Sequence, residues 1–368
     1  MTHRMILASL AAFAVGATRA ASRATSLEPA TIGAEGSTWA LPPPANLPGS
    51  WHVWANGDDV LALAVDGPVV WSGTRGGGLV RWDTEAGTYR QFLRPQDPLG
   101  GNTVHRVVVD DHGWKWLATS GGLTMLDDAG TPDRGDDQWH TYTVANTRGG
   151  LPTDDVRAVA VTGAVVWVAG AQVLDRGSGA WIGGGLGRLD TAGTFATADD
   201  TWAPVVTFEG TRRTTPDGRV TLGLVSDSIN DLLVAPDGGL WVAASPHWRL
   251  EASGTGPRQW RRVHGGLSRL DAKGTADTAD DEWRAYSCEK PLRDTTGRPL
   301  VSCFVTGLAA DGEGNAWAAV GGFGAIAFRA NSIQLVGGAV ARFDRSSGLD
   351  GVVEAVAPGN RAHEMWFG

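Results

Sequence analysis

The chain has 368 residues, which is long enough for one large all-β domain or for two domains of ordinary size. Hydrophobic residues make up 42% of it and charged residues 19%, so enough apolar side chains are present to build a core. The formal net charge of −9 argues against nucleic acid as a partner, because a phosphate-binding surface needs clustered lysine and arginine. Seventeen tryptophans beside three tyrosines and 52 glycines indicate that tryptophan and glycine recur for a structural reason.

The first 22 residues have the pattern of a secretory signal peptide. His3 and Arg4 precede an apolar run over residues 5–17, and small residues follow up to Ser22. This run is too short to cross about 30 Å of hydrocarbon, so no membrane anchor is expected here, and no later segment is as apolar. The pattern predicts a secreted or periplasmic protein whose residues 23–50 form a linker.

A tryptophan followed by two small or apolar residues recurs along the rest of the chain, at intervals of 45 to 76 residues. The complete copies begin at Trp71, Trp116, Trp167, Trp241 and Trp317, and a further copy begins at Trp366. A short apolar run precedes each copy, over residues 60–65, 104–109, 156–161, 229–234, 305–310 and 352–357. A glycine-led segment follows each complete copy, over residues 77–83, 121–123, 184–190, 265–271 and 337–344.

These units predict an all-β fold, a β-propeller of four-stranded blades that occupies residues 51–368. Short β-branched runs bounded by glycine and aspartate turns are typical of strands, and four antiparallel strands repeated every 45 residues or so are typical of blades. We expect five complete blades and a sixth that is truncated at Gly368. An open solenoid is the alternative. Closure is favoured because residues 51–54 resemble an outer strand that lacks the rest of its blade.

The segment Gly150-Leu151-Pro152-Thr153-Asp154-Asp155-Val156, with the tryptophan strand and Gly-Gly-Leu-x-Arg-Leu-Asp after it, resembles the two-component regulator propeller repeat. That repeat occurs in extracytoplasmic sensor regions of bacterial hybrid histidine kinases and in secreted proteins. The resemblance covers residues 51–368 and implies ligand sensing or binding without catalysis. It also implies a downstream signalling domain or protein as a partner, although no kinase segment is present.

The repeated tryptophans are predicted to be structural. Those of the second strands should pack between adjacent blades, and Trp139, Trp202 and Trp283 should open outer strands, because repetition in register indicates packing.

The insertions of the third to fifth blades are the first candidate site. They occupy residues 171–183, 245–264 and 321–336, and the middle one has the pattern of a β-hairpin that places Trp248 and Trp260 roughly opposite one another. Three such hairpins would form a wall that stacks on and hydrogen-bonds a glycan or another small, aromatic or acidic molecule. The candidate contacts are Trp181, His247, Trp248, Arg249, Trp260 and Arg262, with Arg261 and His264 beside them. The alternative is that the hairpins only pack together or cover a neighbouring domain.

The starts of the inner strands are the second candidate site, because there the apolar pattern admits polar residues. These are His105, Arg106, Arg157, Asn230 and Asp231, together with Thr306 and Glu354. They would ring the mouth of a central channel and so add to a ligand pocket. The alternative is a solvated channel whose charges are paired internally.

The motif Asp-x-x-Gly-Thr-x4-Asp-Asp-x-Trp occurs three times, between the third and fourth strands of the second, third and fourth blades. Its carboxylates are those of Asp136, Asp137, Asp199, Asp200, Asp280 and Asp281. Clustered carboxylates could bind a structural calcium ion, although the spacing is not that of an EF-hand loop. The alternative is a turn that aspartate stabilises. No other cofactor is expected.

Cys288 and Cys303 lie 15 positions apart and predict one disulfide in an oxidising compartment, since a zinc site would need more ligands. The sequence lacks the motifs of zinc proteases, serine hydrolases and P-loop proteins. We therefore expect a sensing or binding propeller that is not an enzyme. A propeller lyase or glycosidase-like enzyme with acid–base groups at the channel mouth is the first alternative, and a protein-interaction scaffold is the second.

Overall fold

The computed structural model describes residues 59–214, 216–217, 220–251, 258–274, 280–288, 303–321, 324–329, 341–343, 353, 356–358 and 365–367. The predicted signal peptide, linker and N-terminal outer strand at residues 51–54 lie outside them. The described part falls into two compact units, which meet in sequence after Tyr142. No helix among the described residues is long and apolar enough to span a membrane.

The first unit consists of two four-stranded antiparallel sheets, each a meander in which neighbours in sequence are neighbours in space. The first sheet contains β1 (Val60–Asp66), β2 (Val69–Thr74), β3 (Leu79–Asp83) and β4 (Thr88–Phe92). The second contains β5 (Val104–Val109), β6 (Lys115–Thr119), β7 (Gly122–Asp127) and β8 (Gln138–Tyr142). These are the first and second predicted blades.

The second unit starts with the third blade and a hairpin inserted into it. Its chain runs through β9 (Val156–Thr162), β10 (Val165–Gly170), β11 (Val173–Asp175), β12 (Ala180–Ile182), β13 (Gly185–Asp190) and β14 (Thr201–Trp202). The sheet order is β9-β10-β13-β14, and β11 pairs with β12 alone. The connection to the next blade contains a short helix, α1 (Phe208–Thr211), and the small hairpin of β15 (Arg213–Thr214) and β16 (Val220–Thr221).

The fourth blade repeats this plan. Its chain runs through β17 (Ser228–Val234), β18 (Leu240–Ser245), β19 (His247–Glu251), β20 (Gln259–Val263), β21 (Gly266–Asp271) and β22 (Glu282–Ser287). The sheet order is β17-β18-β21-β22, and β19 pairs with β20 as the predicted hairpin. The turn of this hairpin lies outside the described residues.

The fifth blade differs from the prediction. It contains β23 (Val305–Ala310), β24 (Asn315–Val320), β25 (Gly324–Arg329) and β26 (Ala341–Phe343) in that order. The segment at 337–344 was predicted to supply the third strand after an inserted hairpin. Instead β25 pairs with the tryptophan strand directly, and residues 341–343 are the fourth strand. The predicted third hairpin is therefore wrong, and residues 330–340 lie outside the description.

After the fifth blade, β27 (Val356–Pro358) pairs with β28 (Met365–Phe367). This two-stranded ladder falls where the inner and tryptophan strands of a sixth blade were predicted. Val353 and Val356 are buried against Ala309, Ala319 and Ala325 of the fifth blade. The ladder alone does not establish a truncated sixth blade, which stays a prediction.

The tryptophans predicted to be structural lie in the core. Trp71, Trp116, Trp167 and Trp241 are buried and Trp317 is half-buried. Trp139, Trp202 and Trp283 stand in the outer strands β8, β14 and β22, as predicted. The glycine at the start of the third strand is also explained by packing. At Gly78, Gly122 and Gly266 a Cβ atom would come within 2.0 to 2.3 Å of a backbone oxygen of the outer strand, and φ is positive at all three.

Candidate functional site

The two inserted hairpins of the second unit are fixed to each other by one side chain. The Gln172 amide accepts a hydrogen bond from the backbone N–H of Trp248 at 2.7 Å and donates one to the Trp248 carbonyl at 2.8 Å. In this way it pairs with β19 much as another strand would. The rings of Trp181 and Trp248 stack beside this contact, with centroids 6.0 Å apart and planes inclined by 18°. The two hairpins therefore form one surface.

One face of the β19–β20 hairpin is aromatic and carries a cation. Trp248 is paired with Arg262 and Leu250 with Trp260, and residues that are paired or two apart share a face of the ladder. The predicted pairing of Trp248 with Trp260 is thus diagonal, although both lie on this face. The side chain of Trp248 is 36% exposed and that of Leu250 is 41% exposed. We call Trp181, Trp248, Leu250, Trp260 and Arg262 the hairpin face.

Arg262 is held over an aromatic ring at the border of the hairpin face. Its guanidinium carbon lies 5.3 Å from the ring centroid of Phe304, which is itself 42% exposed. Arg262 is exposed, and no carboxylate among the described residues lies within ion-pair distance of it. Its charge is therefore available to an acidic group on the same face as the tryptophans.

The other arginines of the hairpin point to the opposite face and are paired. Arg249 lies 3.0 Å from Glu209 and 3.5 Å from Glu251, and Arg261 lies 3.3 Å from Glu251. Arg249 also sits over the ring of Phe208, the first residue of α1. Arg249 was predicted to contact a ligand, and the structure places it instead in a contact between the hairpin and α1.

His247 was also predicted to contact a ligand, but it is buried at the base of the hairpin, with 3% of its surface exposed. Its ring packs edge-on against Phe208, with centroids 5.2 Å apart. Nδ1 lies 3.0 Å from the Ser226 hydroxyl and accepts from the Asp227 backbone N–H at 3.3 Å, while Nε2 lies 3.7 Å from the Asp227 carboxylate. This arrangement assigns the neutral tautomer with its proton on Nε2.

Burial shifts both titrating groups of this cluster toward their neutral forms. It lowers the pKa of His247 to about 4, and the positive charge of Arg249 acts in the same direction. Burial likewise raises the pKa of Asp227 to about 6, helped by the charge of Glu209 and opposed by the hydrogen bond from the Phe208 N–H. His247 and Asp227 thus belong to a buried cluster of low dielectric constant that supports the base of the hairpin.

Ser226, His247 and Asp227 are the residue types of a hydrolase triad, but their geometry is structural. Ser226 is fully buried, and its hydroxyl lies 2.5 Å from the carbonyl oxygen of Ser245, to which it donates. It also accepts from the backbone N–H of Ser228 at 3.1 Å. A nucleophile must be reachable and must give its proton to the histidine, and Ser226 does neither.

Asp227 makes a side-chain to backbone hydrogen bond that recurs at the same position in three blades, and the sequence analysis did not predict it. Asn102, Asp154 and Asp227 stand two residues before the apolar start of an inner strand, and each accepts a backbone N–H from the loop behind it. The donors are Arg94 at 2.8 Å, Val144 at 2.7 Å and Phe208 at 2.6 Å. The recurrence of Asn or Asp two positions before the apolar start of the inner strand is the sequence feature from which this hydrogen bond could have been predicted.

The inner strand of each of the five described blades has a β-bulge within its first three residues, which the sequence also did not reveal. The pairing registers skip Leu61, His105, Arg157, Asn230 and Thr306. A bulge re-aims a side chain and sharpens the local twist. Four of these five residues are polar, and they coincide with the positions predicted to ring a channel mouth.

Three of the polar residues at the inner strands of the second unit bind other groups of the protein, whereas the Thr306 hydroxyl is buried with no hydrogen-bond partner among the described residues. Arg157 pairs with Asp155 at 2.6 Å, and Asn230 donates to the Val305 carbonyl at 2.7 Å. Asp231 was predicted to contact a ligand, but it is 5% exposed and accepts the Leu308 N–H at 2.8 Å. Asn230 and Asp231 thus join the inner strands of the fourth and fifth blades.

In the first unit, His105 and Arg106 are half-buried at the start of β5. A cavity of about 310 Å³ lies in the same unit, at the connection between β4 and β5, and the sequence did not predict it. Arg94, Gln96, Asp97 and Thr141 line it together with Pro95, Pro98, Leu99 and Gly100.

The repeated aspartate motif forms turns between the third and fourth strands, as predicted. In the first copy the Thr131 hydroxyl donates to Asp136 at 2.8 Å, and Asp137 pairs with Arg90 at 3.2 Å. In the second copy Thr194 donates to Asp199 at 2.9 Å. The third copy, which ends in Asp280 and Asp281, is described only in part. Calcium at these turns and at Asp200 stays a prediction.

Cys288 and Cys303 are bonded to each other, as the sequence predicted. His264 lies beside them, and these three residues are the one group of three or more potential metal ligands found within the described residues. Sulfur atoms that are bonded to each other do not act as thiolate ligands, so the oxidised pair is not a metal site.

No family model matches the sequence, and no curated protein matches it. Among solved structures, PorZ of Porphyromonas gingivalis, a bacterial surface component of the type-IX secretion system, aligns with a TM-score of 0.56 and 15% identity. The alignment covers 87% of this chain and 38% of the PorZ chain. At this identity the likeness concerns the fold alone, and it supports an all-β propeller with five four-stranded blades. The chain spans less than half of the PorZ chain.

Two other solved structures align less closely. A streptogramin B lyase has a TM-score of 0.45 and 14% identity, over 84% of this chain and 76% of that one. The extracellular domain of a proposed hybrid two component system of B. thetaiotaomicron has a TM-score of 0.40 and 15% identity, over 82% of this chain and 38% of that one.

Proposed function

We propose that this chain is an extracytoplasmic ligand-binding propeller that is not an enzyme, and that the hairpin face holds its ligand. The observation that carries the proposal is the joining of two inserted hairpins into one surface by Gln172 and by the stacked pair Trp181 and Trp248. Loops and hairpins on a rigid β scaffold are where binding residues concentrate. In this proposal the output passes to a signalling domain or to a partner protein.

The chemistry of the hairpin face favours a glycan or another small molecule that carries an acidic group. Indole rings offer a flat apolar surface for a sugar or aromatic ring, and Trp248 and Trp260 lie on the same side of the ladder. The guanidinium of Arg262 on that side is suited to a carboxylate, which it can hold through two parallel hydrogen bonds. An acidic saccharide satisfies both features.

An enzymatic role has weaker support. The cluster closest to a catalytic constellation, Ser226 with His247 and Asp227, has a buried hydroxyl committed to a carbonyl oxygen. The acid–base candidates Arg157 and Asp231 are used in an ion pair and in a bond between strands.

The test compares matched ligands on the full chain. Isothermal titration with oligogalacturonate and with its neutral methyl ester should show tighter binding of the acid, and mass spectrometry should find both ligands unchanged afterwards. Trp248→Ala should weaken binding of both by about twofold to tenfold, the loss expected for an aromatic stack. Arg262→Gln should remove the preference for the acid. Tyr89→Ala, which removes an exposed aromatic ring from the first unit, is the matched control and should bind as the wild type does.

Three results would count against the proposal. If Trp248→Ala binds as well as Tyr89→Ala does, the ligand does not lie on the hairpin face. If neither ligand binds, nor any member of a wider panel of saccharides and aromatic acids, the binding role fails. A new product in the mass spectra would favour the lyase or hydrolase alternative.

A further inference from the structure

The disulfide of the fourth blade has a histidine beside one of its two sulfur atoms. Cys288 directly follows β22, and Cys303 stands two residues before β23. His264 lies between β20 and β21, with Nδ1 3.4 Å from the Sγ of Cys303. All three residues are partly exposed.

This placement makes the two sulfur atoms chemically unequal. In thiol–disulfide exchange a thiolate attacks one sulfur and the other leaves as a thiolate, and a leaving sulfur of lower pKa leaves faster. An imidazolium next to a cysteine stabilises its thiolate and lowers its pKa. Because the ring of His264 contacts the sulfur of Cys303, Cys303 is the better leaving group and Cys288 is the better target.

We propose that the bond between Cys288 and Cys303 is a site of thiol–disulfide exchange, with Cys288 as the attacked sulfur and Cys303 as the leaving sulfur that His264 stabilises. The co-reactant is a low-molecular-weight or protein thiol. Its thiolate forms a bond to the Sγ of Cys288 while the disulfide bond breaks, and the bonding pair moves to the Sγ of Cys303. The ring of His264 stabilises the new thiolate through its contact with the sulfur of Cys303, and the thiolate then takes a proton from solvent.

The second step completes the exchange. A second thiol group attacks the mixed disulfide and releases Cys288 as a thiolate, which takes a proton from solvent. Two electrons have then passed from the thiol co-reactant to the protein. The co-reactant ends as a disulfide, and both cysteines end as thiols.

The first experiment uses the unchanged full chain under native conditions. The protein is treated with reduced glutathione, the reaction is stopped in acid at short times, and free thiols are capped with N-ethylmaleimide. Tandem mass spectrometry should find glutathione on Cys288 and the maleimide on Cys303 in most of the mixed disulfide. Glutathione mainly on Cys303, or equally on both, would overturn the assignment. A disulfide that glutathione opens only after denaturation would overturn the whole proposal.

The second experiment measures the contribution of His264. At a fixed thiolate concentration, His264→Gln should slow the first step by about threefold to tenfold, because the leaving thiolate of Cys303 loses the imidazole that stabilises it. His112→Gln changes an exposed histidine of the first unit and is the matched control, which should react like the wild type. Equal rates for the two variants would show that His264 plays no part. The glutathione position in the unchanged protein remains decisive if His264→Gln does not fold.

Discussion

Trp71 and Arg81 lie directly opposite each other on β2 and β3, and the guanidinium carbon of Arg81 stands 5.9 Å from the centroid of the Trp71 ring. The same cross-strand pair recurs as Trp167 with Arg188 at 5.9 Å and as Trp241 with Arg269 at 5.8 Å. A desolvated cation over an indole face contributes about 2 kcal/mol. What these three blades repeat is therefore a pair of residues and not the tryptophan alone.

The second and fifth blades have an apolar residue in place of that arginine, and their tryptophans have another polar partner. The indole N–H of Trp116 donates to Asp110 at 2.8 Å, and that of Trp317 donates to Asp311 at 2.9 Å. Both aspartates stand in the turn between the first and second strands. In the five described blades, the tryptophan of the second strand thus has either a cation on its ring face or a hydrogen bond at its ring edge.

The first prediction concerns the core. Trp241→Ala should lower the free energy of unfolding by about 3–5 kcal/mol, because it empties a buried site and removes the ring beneath Arg269. Trp248→Ala, which truncates a partly exposed ring, should cost less than about 1 kcal/mol. Urea unfolding of the two variants beside the wild type measures both values. Equal losses would mean that the hairpin face is part of the core.

The sequence predicted the blades because their residues recur in register, and it failed where two local patterns competed. After Trp317 there are two glycine-led segments, one at Gly321 and one at Gly337. The second has the better match to the motif, yet the first leads into the strand that pairs with β24. Which of the two segments becomes the third strand depends on pairing with β24, and the local motif does not contain information about that pairing.

The candidate site was predicted in part for a similar reason. Trp248, Trp260 and Arg262 were found because they fall outside the repeat and belong to a hairpin pattern. The burial of His247 depends on Phe208 and Ser226, which precede it by 39 and 21 residues. Contacts over such separations follow from the packing of the blades, and a local sequence pattern does not contain that information.

The second prediction concerns pH and rests on the opposite shifts of His247 and Asp227. The pKa of His247 falls to about 4 in the folded protein, so between its ordinary 6.5 and 4 the unfolded chain binds more protons and stability falls as the pH is lowered. The pKa of Asp227 rises to about 6, so between 3.8 and 6 the folded protein binds more protons and stability falls as the pH is raised. In the wild type the two contributions oppose each other.

Single substitutions should therefore give difference curves of opposite slope. Relative to the wild type, Asp227→Asn should gain stability as the pH rises from 3.8 to 6, and His247→Gln should lose it as the pH rises from 4 to 6.5. Each change should be on the order of 2–3 kcal/mol, from about two units of pKa shift. Chemical unfolding at half-unit pH steps measures both curves. Difference curves that are flat, or that share a sign, would contradict the assignment.

The third prediction concerns the aspartate turns. Thr194→Val removes the hydroxyl that donates to Asp199 and should cost about 1 kcal/mol, the net value of one hydrogen bond. The calcium prediction for these turns is that EDTA lowers the melting temperature of the wild type, and that added calcium restores it whereas magnesium does not. Differential scanning calorimetry with EDTA, then calcium, then magnesium measures this. No change in the melting temperature would leave the turns stabilised by aspartate alone.

The fourth prediction concerns the junction of the two hairpins. Gln172→Ala removes both hydrogen bonds to the Trp248 backbone, across 76 residues of sequence. The outer edge of β19 then has water in place of the amide, so hydrogen exchange of the Trp248 N–H should accelerate at least about tenfold, as local opening becomes easier. Global stability should change by only about 1 kcal/mol, since two exposed hydrogen bonds are lost and no core contact is removed.

Gln91→Ala is the matched control for this junction, because the Gln91 amide also donates to a backbone carbonyl, that of Gly77, but in the first unit. Exchange in β19 should be the same in Gln91→Ala as in the wild type, and it should rise only in Gln172→Ala. Oligogalacturonate binding should weaken in Gln172→Ala and not in Gln91→Ala, because the stack of Trp181 on Trp248 depends on the junction. If exchange at Trp248 stays at its wild-type rate in Gln172→Ala, the aromatic stack alone holds the hairpins together. If exchange rises while binding is unaffected, the ligand does not need the two hairpins to act as one surface.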